Sequence, residues 1–114
     1  MDSEHLMAFC TCPNPEVAGE IAETLVGDGH VACANIVPGL TSVYAWKGEV
    51  HRDPETLLIM KTTRVAWRRL EETILRLHPD ELPEIIAVPV TRGLNDYLAW
   101  VTYQTDGRQQ PPAE

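Results

Sequence analysis

Basic side chains are scarce: 9 Lys and Arg stand against 17 Asp and Glu in 114 residues, a net charge of -8. That field repels phosphate backbones, which excludes nucleic acid as a partner, and it attracts cations. Long apolar runs are missing too. The longest, Ile85 to Val90, falls far short of the ~20 residues of a membrane span, so no membrane partner is expected. Three cysteines cannot pair off completely, and nothing resembles a secreted disulfide framework. Reduced thiols and a cytoplasmic location are the expectation. The acidic start, Met1-Asp2-Ser3-Glu4-His5, predicts no signal peptide. No Gly-x-Ser-x-Gly, His-Glu-x-x-His or Walker loop occurs, so the chain reads as a non-enzyme.

What is present is globular: 44% hydrophobic and 23% charged residues, at a length typical of one domain with a sizeable core. Leu6 to Cys12, a short apolar run closed by Pro13, predicts a strand. Asn14-Pro15-Glu16 then starts a helix, because Asn14 can cap, Pro15 suits the first helical position and Glu16 sits at the positive dipole end. Val17, Ile21 and Leu25, shadowed by Ala18, Ala22 and Val26, give its buried face, and Gly27-Asp28-Gly29 ends it. Val31 to Trp46 predicts a long strand bent at Pro38-Gly39, Lys47-Gly48 a tight turn, and Glu49 to Thr62 the returning strand. Thr63 can cap a second helix with Trp67, Leu70, Ile74 and Leu77 on its buried stripe, ended by His78-Pro79. Ile85 to Val90 predicts a fourth strand, at an edge because of Pro89. Asn95 can cap a terminal helix.

The order is strand-helix-strand twice over, plus one helix. It predicts an α+β fold of the ferredoxin-like, split βαβ type (βαββαβ plus a C-terminal helix), an antiparallel sheet with helices on one face. A single domain is expected over 1–105. Gly, Gln and Pro-Pro mark 106–114 as a flexible tail, with fraying read from Thr105 onward.

Five blocks resemble one family. Ala32-Cys33-Ala34-Asn35-Ile36-Val37-Pro38-Gly39 and Ser42-Val43-Tyr44-Ala45-Trp46-Lys47-Gly48 come first. Lys61-Thr62-Thr63, His78-Pro79 with Pro83-Glu84, and Tyr97-Leu98-Ala99-Trp100 follow in order. Together they are similar to the signature of the CutA divalent-ion tolerance family. Two positions depart from it: Asp80 stands where the family commonly shows tyrosine, and Leu77 where some members carry a second histidine. The resemblance implies the ferredoxin-like fold, a homotrimer that covers the helix-free sheet face and exposed edges, and a role in tolerance of copper and other divalent cations. It also implies a likeness to trimeric signal proteins that bind small ligands between subunits, which is the alternative function.

Cys10 and Cys12 lie two apart on a strand, hence on one face, and thiolates suit soft metals. Buried cysteine is also often a small hydrophobe, and Cys33, among alanines, reads as core. The family's metal pattern falls on Cys10 and on His78, and implies Cu(II) or another divalent cation as ligand. A helix-terminal histidine satisfying the dipole is the competing reading of His78. Taking the first and third strands as parallel puts the end of the second helix far from Cys10, so a joint site would need different subunits. Lys61, Glu84, Tyr97 and Trp100 either line an inter-subunit ligand cleft or serve as an ion pair and aromatic anchors. Trp46 at the hairpin tip is expected to pack on another subunit. His5, His30 and His51 show no evident partners.

Overall fold

The structure is a computed structural model that describes residues 4–106. Its elements are β1 (His5–Cys12), α1 (Pro15–Gly27), β2 (Cys33–Trp46), β3 (Glu49–Thr63), α2 (Trp67–Leu77), β4 (Ile86–Pro89) and α3 (Asn95–Thr105). The strands form one sheet in the order β2-β3-β1-β4, every neighbouring pair antiparallel. This is the ferredoxin-like arrangement, with β2 and β4 at the edges. Pro89 is therefore tolerated, since β4 has a neighbour on one side only.

Local chemistry explains the elements. Asn14 Oδ1 accepts from the Val17 N–H at 2.8 Å, with Pro15 in the first turn. Lys47 (φ 52°) and Gly48 (φ 83°) both take positive φ, the backbone of a type I′ turn, whose twist matches the strands it joins. The bend at Pro38-Gly39 is a bulge that shifts the β2–β3 register between Val37 and Leu40. Two helix starts differ from expectation. Thr63 Oγ1 accepts from Ala66 N in a preceding turn, and α2 begins only at Trp67. Leu94, with no side-chain cap, holds the cap position of α3 rather than Asn95.

Even-numbered residues of β1 and β3 face the helices: Ala8, Cys10, Cys12, Thr56, Leu58 and Met60 are buried. All of these but Thr56 pack with Ile21 and Leu25 of α1 and Leu70 and Ile74 of α2. Trp67 and Leu77 are only partly buried against this core, and Val26 turns to solvent. The opposite face is not free of helices as expected, because α3 packs on β3 and β1 at their His5–Thr63 end. There His5 Nε2 lies 3.0 Å from Leu98 O and 2.8 Å from Thr102 Oγ1. Thr105 is not frayed. Its hydroxyl lies 3.1 Å from that of Thr63, and its carbonyl accepts from Arg69 at 3.1 Å. The tail expected over 106–114 lies, beyond Asp106, outside the described residues.

The β2–β3 ladder outruns β1. Past Cys12↔Thr56 it continues alone from Leu40↔Glu55 to Trp46↔Glu49, an arm about 20 Å long at a strand rise of ~3.3 Å per residue. The radius of gyration is accordingly 14.9 Å, against about 13 Å for a compact chain near 100 residues. The arm carries Val43 and Val50, 60% and 78% exposed.

Candidate metal centre

Counting chain reversals shows why the site forms within one chain. The crossover through α1 makes β2 parallel to β1, the hairpin turns β3 antiparallel to both, and α2 then runs back along the direction of β1. Its last turn therefore finishes beside the end of β1, not its start. The parallel arrangement of the first and third strands, and the separation it imposed between Cys10 and His78, are both corrected: β1 and β3 are antiparallel.

Cys10, Cys12 and His78 come together as a result. One donor atom from each lies within 4.8 Å of the other two. Both cysteines are 0% exposed and His78 is 7% exposed. The His78 ring also ties the structure together, with Nε2 donating to Thr11 O at 2.8 Å and Nδ1 accepting the Asp80 N–H at 3.0 Å. The ring thus satisfies two backbone groups, and an ion could take a nitrogen only by exchanging one bond. The exchange costs least at Nδ1, whose partner belongs to exposed Asp80. The Nε2–H···O=C bond would then remain as the outer-shell contact that fixes a ligating imidazole. On chemistry and spacing the residues fit a soft metal ion.

The two thiols are unequal. A hydrogen bond to Cys12, then burial, pushes Cys10 well above the usual thiol range, and Cys12, Glu84 and Asp80 add negative charge. The same hydrogen bond lowers Cys12 against its own burial. Sequence reasoning ranked Cys10 first. The alternation that put Cys12 on the same face was the available signal for it.

An acidic groove of about 690 Å³ adjoins the cluster, lined among others by Thr11, Tyr44, Trp46, Glu55, Asp80 and Glu84. Tyr44 donates to Asp53 at 2.5 Å, which pushes its phenol up to about 12, and its ring stacks on His51 at 5.3 Å. Trp46 is half-buried at the end of β2 and faces this groove.

Within the single chain the other sequence-predicted residues lie apart from this cluster. Lys61 donates to Asn35 Oδ1, not to Glu84. Register separates these two: Lys61 pairs with Met7, whereas Glu84 precedes Ile86, the partner of Phe9. Tyr97 and Trp100 of α3 lie with ring centroids 5.6 Å apart, near Cys33, and burial pushes the Tyr97 phenol up. Cys33 is half-buried rather than core. His30 is also partnered, with Arg69 Nε donating to its Nδ1 at 3.4 Å. Burial, then the Arg69 charge, lowers its pKa.

Fold and cluster define a class: a small ferredoxin-like α+β protein with a metal-capable Cys–Cys–His cluster. The family model described as CutA1 divalent ion tolerance protein matches residues 6–104. A divalent-cation tolerance protein CutA of Thermus thermophilus is 50% identical over 99 residues, 87% of this chain and 96% of its own. Protein CutA of Bos taurus is 43% identical over 99 residues, again 87% of this chain but 56% of its own length. The solved structure of a divalent cation tolerance protein (Cut A1) from Thermus thermophilus superposes with a TM-score of 0.84 at 47% identity, covering 85% of this chain and 94% of that one. The chain belongs to the CutA1 divalent ion tolerance family.

Proposed function

We propose that this chain is a homotrimeric, non-enzymatic copper-binding protein of the cytoplasm, acting in divalent-cation tolerance. The observation that carries the metal reading is the buried Cys10, Cys12 and His78 cluster within 4.8 Å, beside a groove lined by carboxylates and by no Lys or Arg among the described residues. Such a groove concentrates cations at the cluster. Burial closes Cys12 and His78 to an organic substrate, which supports a binding rather than a catalytic role. A reducing compartment would keep the three free thiols available. Support for the trimer comes from the arm and from the two edge strands, since exposed apolar residues and unpaired ladder groups are what subunit contact would cover.

The groove also lies within the ~300–1,000 Å³ range of small-ligand sites, and this favours a signal-protein-like ligand module as the second reading. Calorimetric titration with copper, supplied as Cu(II) and, anaerobically, as Cu(I), and with a nucleotide panel separates the two. The copper reading expects saturable binding near one ion per chain, lost in the double variant C10A/H78A. Nucleotide heat without copper heat would favour the ligand module.

A further inference from the structure

We infer that Cys12 is a metal ligand alongside Cys10 and His78, and that the ion held by the three is monovalent copper, Cu(I). The inference rests on the metal-binding reading above and specifies its ion. Alternation along β1 turns both sulfurs to the helix face, opposite Leu58 and Thr56 of β3, where neither is exposed. The third thiol, Cys33, pairs with Lys61, whose odd-numbered position belongs to the other face, so it cannot join. Among the described residues no fourth His, Cys, Asp or Glu completes the group. The nearest carboxylate oxygen to His78, Asp80 Oδ2, lies 4.0 Å from Nδ1 and belongs to a side chain 48% exposed.

The donor count selects the ion. Zn(II) sites are almost always four-coordinate, closed by a further protein ligand or by water. Here the buried donors number three, two of them sulfurs, and the one further donor near them, the Asp80 carboxylate, is a hard oxygen on a side chain 48% exposed. Cu(II) favours tetragonal nitrogen and oxygen shells, which two sulfurs on one strand do not provide. Cu(I) is soft, has no ligand-field preference and is stable with three donors, two of them thiolates.

The test uses the reduced full chain under anaerobic conditions, titrated with Cu(I) against a chromophoric cuprous chelator. One Cu(I) per chain is expected, held more tightly than Zn(II), with a thiolate-to-copper ultraviolet band. Both C12A and the near-isosteric C12S should weaken Cu(I) by more than the ~10–100-fold that outer-shell changes cost, with circular dichroism unchanged. Should C12S hold Cu(I) as tightly as the parent chain while C10S does not, Cys12 is no ligand and this inference falls with the metal reading intact. Should the parent chain prefer Zn(II), the ion is wrong. Should it take neither Cu(I) nor Cu(II), the metal reading itself fails.

Discussion

Leu58→Ala should lower the stability of the chain by about 2–5 kcal/mol, the usual cost of emptying a fully buried leucine site. Leu58 is 0% exposed in the central strand β3, with Cys10 of β1 on one side and Ile36 of β2 on the other. Its side chain packs in the core with Ile21, Leu25, Leu70 and Ile74, so the cavity would open where both helices meet the sheet. Chemical denaturation at one fixed protein concentration measures the loss, because assembly would make apparent stability depend on concentration. A loss under about 0.5 kcal/mol, the size of ordinary surface effects, would contradict the placement of the core.

The second large effect concerns assembly. Val43 and Val50 lie on one face of the arm, Val43 opposite Arg52 and Val50 opposite Ala45. In a single chain, V43E/V50E should change stability by no more than about 0.5 kcal/mol, because both side chains are already in water. In a trimer that covers the arm, the same change buries unpaired carboxylates and should split the assembly. Light scattering should read a mass near three chains for the parent protein and near one for V43E/V50E. An unchanged trimer mass would place the arm's valines outside the subunit contact. A single-chain mass for the parent would remove the trimer altogether.

Much of the fold was legible because its signals are local. Asn14-Pro15 announced α1, Lys47-Gly48 the hairpin, Pro38-Gly39 the bulge and Pro89 the edge strand, each through backbone chemistry that needs no tertiary partner. Burial on helices was less secure. Val26 continues the stripe of Ala18 and Ala22 on paper, yet in the last turn of α1 the core is filled by Leu25, 0% exposed, and Val26 is 45% exposed. Thr105, by composition part of a tail, is held by Thr63 and Arg69 across the fold, which no neighbouring residue signals.

The site was half legible for a different reason. Strand alternation and family resemblance supplied Cys10 and His78, but joining them depends on strand direction, a global property. One wrong sense for β3 sent α2 to the opposite end of β1 and divided a cluster that lies within one chain. Within one chain Lys61 donates to Asn35 and stands on a different rung from Glu84, and polar residues at element ends look alike in sequence whichever rung they occupy. His5 and His30 find their partners on α3 and α2, far along the chain, and His51 finds Tyr44 directly across the hairpin; periodicity within one element is silent about all three.

X-ray absorption at the copper edge, on reduced protein loaded with one equivalent of copper, tests the central claim most directly. Ligation by Cys10, Cys12 and His78 predicts a first shell of sulfur scatterers together with imidazole nitrogen, and loss of sulfur amplitude in the C10S/C12S variant. A shell of oxygen and nitrogen alone, unchanged in that variant, would place the ion among surface carboxylates and contradict the Cys–Cys–His centre.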